Sequence, residues 1–461
     1  MTRSMFKHIK HIHLVGIGGI GMSGIAELLI NMGYDVTGSD LRETKITRRL
    51  KELGAKITNL HKRENVKGKD LVIYSSAIKE DNPELIEAKS INIPCIPRAE
   101  ILGEIMRMKE GIAVAGTHGK TTTASMIAKI LDKASLDPTL LIGGRLRGFG
   151  INARLGNGKY LVCEADESDR GFLKLYPVLS VITSIDDDHL NGYKDIGEIR
   201  DAFVEFANNI PFYGCVILCM DDENVQSILP RIKKRYVTYG LSSKAQIAGL
   251  DIKGEEIQSF TVKSNNDNFG RFSLKLPGIH NVYNALAAIG VGVELEIDVK
   301  LIKEAISEFE GVERRFELKG EVNGIKVIDD YAHHPKEVEV ALSTARVVHK
   351  GRILAIFQPH LFSRTLKLKE KFGHAFHNAD SLIVTKVYPA REEPIKGVTG
   401  ELIVETCRRC GHKDVRYIEN SDEIVNYVTN VAKRGDLIMT IGAGSIDKVG
   451  EEILEALRHR D

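Results

Sequence analysis

The 461-residue sequence contains no tryptophan, only 12 prolines and only six cysteines. So few cysteines exclude the disulfide framework of a small secreted domain. Cys163, Cys215 and Cys219 lie inside apolar runs, which predicts reduced thiols in the core. Cys407 and Cys410 have the spacing of a metal site, but no second pair exists in the sequence, so we expect no zinc site there.

Long hydrophobic runs are also missing. No apolar stretch approaches the ~20 residues that span a bilayer, and the N-terminus lacks the apolar core of a signal peptide. The net charge is only +1, because 64 Lys and Arg balance 63 Asp and Glu, so no global field attracts nucleic acid or an anionic membrane. We therefore expect a cytoplasmic protein without nucleic-acid or membrane partners. We also expect a monomer or weak homodimer, although neither charge nor hydropathy bears on the oligomeric state.

The sequence does contain a regular alternation of short β-branched runs and amphipathic helical stretches, which is typical of parallel sheets covered by helices. The predicted fold class is α/β with three domains: a Rossmann-like N-terminal domain, a central P-loop mononucleotide-binding domain and a C-terminal Rossmann-like domain. A length of 461 residues fits two or three domains. The strand pattern restarts after GVERRF (311–316), so we place the domains at 1–107, 108–312 and 313–461.

The first candidate site is a GxGxxG motif at residues 16–21, placed where a predicted strand (11–15) turns into a predicted helix (22–32). Backbone N–H groups and the helix N-terminus can hold a diphosphate there. Asp40 ends the next strand, about where a ribose-binding acid would lie. The motif is compatible with NAD, with another nucleotide diphosphate or with a tight turn, and it leaves the choice open. Its candidate binding residues are Gly16, Gly18, Gly19, Gly21 and Asp40.

The second candidate site is GTHGKTTT, residues 116–123, again between a strand and a helix. Lys120 can neutralise β- and γ-phosphates, and Thr121 can ligate Mg²⁺. A P-loop of the usual length needs glycine where this chain has Val114, so the loop is a shortened variant in which Gly116 supplies the turn. The pattern predicts a nucleoside triphosphate site formed by Gly116, Thr117, His118, Gly119, Lys120, Thr121 and Thr122.

Acidic residues follow two predicted strands of the same domain. They include Glu164, Asp166, Glu167 and Asp169 in LVCEADESD, and three aspartates before His189 in ITSIDDDHL. Mg²⁺ takes oxygen ligands and usually few from protein, so most of these acids belong outside the coordination sphere or to solvated loops. For His189 we favour a position beside metal or phosphate over that of a core histidine.

Two nucleotide motifs in one chain favour joining over redox chemistry, because a dehydrogenase needs no γ-phosphate. The motifs that follow one another along the chain are HIHLVGIGGIGMSGIAELL, GTHGKTTT, EADESD, NVYNA, GVERRFE, DDYAHHP and QPHLFSRT. In this order, and over essentially all 461 residues, they resemble the Mur ligase family, and GIGGIGMSG with DDYAHHP is similar to its alanine-adding members. The resemblance implies ligation of L-alanine to the lactyl carboxylate of UDP-N-acetylmuramate, with ATP and Mg²⁺, through an acyl phosphate.

The resemblance also implies roles for individual residues. It implies that the first glycine motif holds the diphosphate of UDP-N-acetylmuramate and not of NAD. The residues implied near the uridine are Asp40, Ser75 and Ser76. The residues implied at the ATP phosphates and the metal are Lys120, Thr121, Glu164 and His189. The residues implied at the adenine are Asn281 and Asn284. The residues implied to bring the C-terminal domain to ATP are Arg315 and Asp330. The implied amino-acid pocket consists of Tyr331, His333, His360 and Arg364. The catalytic set is then Lys120, Glu164, His189, Arg315 and Asp330.

Two positions depart from the family pattern. Some members carry arginine directly after the histidine of QPH, where this chain has Leu361, so we expect the alanine carboxylate to depend more heavily on Arg364. Several members use a carbamoylated lysine downstream of the metal histidine, but residues 200–208 contain no lysine, so we predict no carbamate.

Three alternatives remain. An NAD-dependent oxidoreductase with an accessory P-loop needs a nicotinamide site, which no Cys or Lys constellation in the sequence indicates. A non-catalytic nucleotide switch leaves DDYAHHP and QPHLFSRT without a purpose. Within the family, the nearest alternative attaches a recycled tripeptide to the same sugar, and a larger acceptor pocket would distinguish it.

Overall fold

The computed structural model describes residues 8–145, 147, 152–187, 192–264, 267–390 and 392–460. The chain divides into two compact units, Met1–Glu310 and Gly311–Asp461. Within the described residues, the first unit contains two sheets and the second contains one.

The first sheet of the N-terminal unit is parallel throughout. Its strands are His11–Val15 (β1), Asp35–Ser39 (β2), Lys56–Thr58 (β3), Leu71–Tyr74 (β4) and Cys95–Pro97 (β5). Its helices are Ile20–Asn31 (α1), Lys45–Glu52 (α2), Pro83–Ser90 (α3) and Arg98–Met106 (α4). The strand order is β3-β2-β1-β4-β5. The order in which strands are added to the sheet reverses between β1 and β4. Open α/β sheets bind ligands at such a position, beyond the carboxyl ends of the strands.

Local sequence explains why β1 and α1 form and where the helix ends. The four residues after His11 in β1 are all buried, and α1 buries Ile25 and Leu28 in the same core. The helix ends because Gly33 adopts φ +91°, a left-handed conformation that favours glycine, and its N–H donates to Ile30 O at 2.9 Å.

A larger mixed sheet completes the first unit. Its strands are Glu110–Ala115 (β6), Thr139–Leu141 (β7), Ala153–Arg154 (β8), Tyr160–Glu164 (β9), Leu179–Ile182 (β10), Cys215–Cys219 (β11), Tyr236–Gly240 (β12), Ile247–Lys253 (β13), Gln258–Ser264 (β14) and Asp267–Leu274 (β15). Its helices are Lys120–Lys133 (α5), Ile196–Asn208 (α6), Glu223–Ile228 (α7), Ile279–Glu294 (α8) and Val299–Ser307 (α9). The strand order is β15-β14-β13-β12-β11-β10-β6-β9-β7-β8. The β13-β14-β15 edge is antiparallel.

The two sheets of the first unit are joined by close glycine contacts. A Cβ atom added at Gly24 of α1 would lie 2.4 Å from Leu141 Cδ1 of β7. One added at Gly103 of α4 would lie 2.5 Å from the backbone oxygen of Lys174, in a short 3₁₀ turn after β9. Helices α1 and α4 therefore both pack closely on the second sheet's domain, and at Gly103 a larger residue would force the backbone to shift.

The C-terminal unit has its own sheet. Its strands are Glu317–Val322 (β16), Ile325–Asp330 (β17), Ile353–Phe357 (β18), Ser381–Val384 (β19), Val415–Tyr417 (β20) and Leu437–Ile441 (β21). Its helices are Pro335–Val348 (α10), Phe362–Ala375 (α11), Glu401–Arg409 (α12), Ser421–Val431 (α13) and Ile446–Arg458 (α14). The order is β16-β17-β21-β18-β19-β20, parallel except for the β16–β17 hairpin. Buried side chains on both faces, such as Phe357 and Ile356, form the two layers of its core.

These observations confirm the predicted α/β class with Rossmann-like parallel sheets. Cys163, Cys215 and Cys219 are buried with free thiols, as expected. Cys407 is also buried, and no group of three or more His, Cys, Asp or Glu within the described residues could hold a metal ion. Among the helices that the structure describes, none is long and apolar enough to cross a bilayer.

Candidate active site

The first glycine loop connects β1 to α1 at the carboxyl edge of the first sheet. Gly16 has φ +77°, which favours glycine, and its N–H donates to Ser39 O at 2.8 Å. Gly19 is the N-cap of α1, and among the described residues no side chain caps this end of the helix. The first N–H groups of α1 are therefore available to an anion.

Asp40 and Ser75 lie beside this loop. Asp40 Oδ2 accepts a hydrogen bond from Gly18 N at 2.9 Å, and a Cβ added at Gly16 would lie 3.5 Å from Ser75 Cβ. Ser76 follows as an exposed residue. The residues expected to bind the sugar nucleotide are thus gathered where the order of strands reverses, and their contact with a ligand stays a prediction.

The second glycine loop connects β6 to α5 and needs glycine at two positions. Gly116 has φ +131°, and a Cβ there would lie 2.1 Å from Thr183 Oγ1. Gly119 has φ +79°, and a Cβ there would lie 2.4 Å from Asn284 Oδ1. The shortened P-loop is therefore confined from both sides.

The segment after β10 supports this P-loop. Thr117 Oγ1 accepts from Asp186 N at 2.8 Å, and His118 N donates to Ser184 Oγ at 3.1 Å. Thr183 Oγ1 donates to His118 O at 2.5 Å. His189, expected at the metal, lies outside the described residues, but the segment that leads to it contacts the P-loop directly.

Lys120, the first residue of α5, points back over the loop. Its Nζ donates to Gly116 O at 2.5 Å and to Glu167 Oε2 at 2.9 Å. Burial lowers the pKa of Lys120, but Glu167 and then Asp166 and Glu164 outweigh it and raise the pKa above its usual value. The lysine is therefore protonated at neutral pH and can meet phosphate charge. Sequence reasoning left the role of Glu167 open.

Glu164 ends β9 beside the P-loop, and its Oε1 accepts from Gly143 N at 2.6 Å. Thr121 and Thr122 follow Lys120 in the first turn of α5. Together Thr121 and Glu164 offer a hydroxyl and a carboxylate, the oxygen donors that Mg²⁺ prefers.

Asn281 and Asn284 lie on the first turns of α8, and both are buried. Asn284 Oδ1 accepts from Thr123 Oγ1 at 3.2 Å, and its Nδ2 donates to Asn281 Oδ1 at 3.3 Å. This places Asn284 against the P-loop itself. Contact of the pair with adenine stays a prediction.

In the C-terminal unit, Asp330 ends β17 and holds the segment that carries Arg315. Its two carboxylate oxygens accept from Phe316 N and Ala332 N, each at 2.8 Å. Arg314 and Phe316 have φ +60° and +48°, so the backbone on both sides of Arg315 is in a left-handed conformation that residues other than glycine rarely adopt. Burial raises the pKa of Asp330 to about 6, against the attraction of the Arg315 guanidinium.

The four residues expected to form the amino-acid pocket lie together in this unit. The rings of Tyr331 and His333 are 5.6 Å apart edge to face, and those of His333 and His360 are also 5.6 Å apart. Arg364 Nη1 is 3.4 Å from His360 Nδ1. Burial lowers the pKa of His333 to about 4, so its imidazole is neutral at pH 7.

Two neighbours of this cluster were missed by sequence reasoning. Tyr388 stacks on His360 with ring centroids 5.7 Å apart, and its backbone oxygen accepts from Leu361 N at 2.9 Å. Leu361 has φ +70°, so the residue that replaces the family arginine is held in a strained conformation.

Arg314 donates to Asp329 Oδ2 at 2.9 Å, and its guanidinium lies 5.1 Å from the centre of the Tyr331 ring. The sequence signal for this buried ion pair was the presence of charged residues on both sides of it, ERR at 313–315 and DD at 329–330.

The N-terminal unit contains both a P-loop of the kind that binds nucleoside triphosphates and a second glycine loop of the kind that binds diphosphates. Among the classes of protein considered from the sequence, this combination indicates an ATP-dependent ligase. Family comparisons agree. The model described as Mur ligase family, catalytic domain, matches residues 11–110. The Mur ligase middle domain matches residues 114–292, and the Mur ligase, glutamate ligase domain, matches residues 314–444.

Individual proteins give the same result. The UDP-N-acetylmuramate–L-alanine ligase of Geobacter sp. (strain M21) is 52% identical over 456 residues, covering 98% of this chain and 99% of that protein. The ligase of the same name from Geotalea daltonii is 51% identical over 455 residues, with the same coverage. The crystal structure of the UDP-N-acetylmuramate-alanine ligase of Thermotoga maritima superposes with a TM-score of 0.84 at 33% identity, covering 98% of this chain and 100% of that one. A murein peptide ligase from Psychrobacter arcticus gives 0.75 at 26% identity, with coverage of 98% and 99%. The chain belongs to the Mur ligase family.

Proposed function

We propose that this protein joins L-alanine to the lactyl carboxylate of UDP-N-acetylmuramate and converts ATP to ADP and phosphate, an early step of peptidoglycan precursor synthesis. The observation that carries the proposal is the 52% identity, over 98% of the chain, to a relative named for this reaction. The arrangement of loops and charged groups in the two units supports it.

The UDP sugar is assigned to the first sheet and ATP to the second. In this assignment the N–H groups of the Gly16–Gly21 loop bind the diphosphate, and Asp40 and Ser75 lie towards the uridine. Lys120, held over the P-loop as an ammonium ion, binds the β- and γ-phosphates. ATP is thereby separated from the sugar nucleotide but bound within the same compact unit.

We assign Mg²⁺ to Thr121, Glu164 and His189, with phosphate oxygens as further ligands. The hydroxyl and carboxylate donors of the described residues fit a hard cation. When bound, the ion neutralises charge on the phosphates.

The chemistry follows from the low reactivity of a carboxylate. Transfer of the γ-phosphoryl group from ATP to the lactyl carboxylate forms an acyl phosphate and ADP, with Lys120 compensating negative charge. The neutral amine of alanine then attacks the acyl carbon, and the tetrahedral intermediate expels phosphate.

The alanine site is assigned to the C-terminal cluster. Arg364 supplies a guanidinium for the carboxylate, and guanidinium–carboxylate pairs are the strongest recognition of this kind. His333 is neutral at physiological pH, so an imidazole nitrogen can accept a hydrogen bond from the amino group of alanine. The ring of Tyr388 stacks on His360 and adds an aromatic surface to the cluster.

A second candidate function is the attachment of a recycled tripeptide to the same sugar. It is favoured by the similarity to the murein peptide ligase from Psychrobacter arcticus, although that identity is only 26%. The two reactions differ in the amine that is accepted.

One assay separates these functions. The full-length protein is incubated with ATP, Mg²⁺ and UDP-N-acetylmuramate, and phosphate release is measured with each amino acid in turn and with the tripeptide. We expect release with alanine that depends on all three substrates. Faster release with the tripeptide would overturn the alanine assignment.

Calorimetry tests the first loop separately. UDP sugars should bind in the absence of ATP, and NAD should not. Binding of NAD that UDP-N-acetylmuramate displaces would instead support the oxidoreductase alternative.

A further inference from the structure

Arg98, the first residue of α4, fills the space above the last glycine of the first loop. A Cβ atom added at Gly21 would lie 2.2 Å from Arg98 Nη1 and 3.1 Å from its Cζ. A larger residue at Gly21 would therefore displace this guanidinium, whereas the usual reason for the third glycine of such a motif is helix–strand packing.

The other side of the same guanidinium faces Asp166, in the acidic segment that follows β9. Arg98 Nη2 is 3.8 Å from Asp166 Oδ2, a distance too long for a hydrogen bond. Asp166 is instead bound by Ser168, whose N and Oγ donate to its Oδ1 at 3.0 and 2.7 Å. The Arg98 side chain is 25% exposed, so a ligand at the first loop can reach it.

The packing of α4 fixes this position. Its Gly103 lies against the backbone of Lys174, and a Cβ added at Gly171 would be 3.0 Å from Ala99 Cβ. Glu100 accepts from Lys174 Nζ at 3.4 Å. The base of Arg98 is therefore attached both to the first sheet, through β5, and to the segment that follows Asp166.

The first loop itself lacks a cation. GIGGIGMSG contains no charged residue, and the acid that touches it, Asp40, accepts the N–H of Gly18. Backbone N–H groups supply partial charges only, whereas a guanidinium supplies a full charge and two parallel donors for phosphate oxygens.

We propose that Arg98 binds the diphosphate of the UDP sugar at the first glycine loop and leaves its long contact with Asp166 when it does so. This inference rests on the proposed function of that loop. It assigns to α4 a substrate contact that neither glycine motif contains.

The test uses the full-length protein and calorimetric titration with UDP and with uridine. Arg98→Ala should weaken UDP binding by about 10- to 150-fold, the range of a hydrogen-bonded charge, and change uridine binding by less than about threefold. Arg98→Lys should fall between, because lysine keeps the charge but loses the planar fork. Asp166→Asn should bind UDP at least as tightly as the wild type, because it removes the competing carboxylate.

Arg107→Ala is the matched control. Arg107 follows α4 directly, is 53% exposed and pairs with Glu104, so its loss should leave UDP affinity unchanged. ATP binding by Arg98→Ala shows that the variant is folded.

Two results would overturn the assignment. One is UDP affinity of Arg98→Ala within threefold of the wild type, and the other is equal weakening of UDP and uridine, which indicates a structural role. A wild-type protein that binds NAD and not UDP would overturn the proposed function itself, together with the Arg98 assignment.

Discussion

Lys120 Nζ lies 2.9 Å from Glu167 Oε2, and the glutamate side chain is only 2% exposed. The cation expected to bind phosphate is thus also a direct ion-pair partner of a buried carboxylate. Removal of the lysine therefore affects two properties, turnover and stability, which a second substitution can separate.

Lys120→Ala should lower kcat by at least about 100-fold, the usual effect of losing one charge-stabilising group. It should also lower the free energy of unfolding by about 3–5 kcal/mol, because Glu167 stays buried without this ammonium group. Lys120→Ala/Glu167→Gln should recover most of the stability and none of the turnover. Urea unfolding and phosphate release measure the two effects.

Lys133→Ala is the control on the same helix. Lys133 forms a surface pair with Glu308 at 2.7 Å, and solvent-exposed pairs contribute little to stability. If Lys120→Ala/Glu167→Gln is as unstable as Lys120→Ala alone, the loss of stability does not come from the buried charge of Glu167.

Asp330 should give the protein a stability component that falls with rising pH. Its pKa is raised from 3.8 to about 6, so between these values the folded state binds more protons than the unfolded state. We expect the unfolding free energy of the wild type minus that of Asp330→Asn to decrease between about pH 4 and pH 6 and to stay constant above. Urea titrations from acid to neutral pH check this, and a difference independent of pH would refute it.

His333 should show the opposite slope. Burial, with Arg364 adding to it and Glu337 opposing it, lowers the pKa of His333 from 6.5 to about 4. The unfolded state therefore binds more protons in this window, so the advantage of the wild type over His333→Asn should rise as pH increases from about 4 to 6.5. The stability component of Asp330 falls over nearly the same pH range. The two pH-dependent components should therefore largely cancel in the wild type, and each should become measurable in the variant that lacks the other.

Arg364→Ala should raise the KM for alanine by about 10- to 150-fold, because a guanidinium–carboxylate bond contributes roughly 1.5–3 kcal/mol. The KM values for ATP and the UDP sugar should barely change. Arg409→Ala is the control, since Arg409 is 61% exposed and pairs with Glu370 on the surface of the same unit. An alanine KM within threefold of the wild type would mean that another cation holds the carboxylate.

Gly103→Ala should destabilise the protein, although alanine is the better helix former. Propensity alone would favour alanine by about 1 kcal/mol in a helix interior. The added Cβ would lie 2.5 Å from the backbone oxygen of Lys174, so the helix must shift, at a cost of about 1–3 kcal/mol. Chemical denaturation measures the sign, and an increase in stability would show that α4 is free to move.

The elements nearest the two glycine loops were predictable from local sequence. The strand expected at 11–15 is His11–Val15, and the helix expected at 22–32 is Ile20–Asn31. Hydrophobic pattern and glycine punctuation determine these elements, so few distant contacts are needed to predict them. The strand pattern that restarts after residue 316 forms a hairpin that turns at Asn323 and Gly324, both with positive φ. The Asn-Gly pair was the missed signal.

Other features depend on contacts between residues far apart in sequence. Lys120 and Glu167 are 47 residues apart, and nothing local to either indicates their pairing. The contact of Arg98 with Gly21 depends on how α4 and α1 pack, which periodicity does not specify. Motifs identified the two loops and side chains such as Lys120, whereas the pairing of Glu167 and the position of Arg98 were found only in the tertiary structure.

The close packing of Gly24 against Leu141, and of Gly103 against Lys174, determines where this chain can be recombined with its relatives. A hybrid that exchanges the first sheet alone would bring together helices and strands that were not selected as a pair, and a methyl group at Gly103 would force α4 to shift away from the backbone of Lys174. A crossover between Glu310 and Gly311 leaves both contacts within one parent. Exchange of acceptor specificity between Mur ligases is therefore best attempted at that position, with the two nucleotide-binding sheets inherited together.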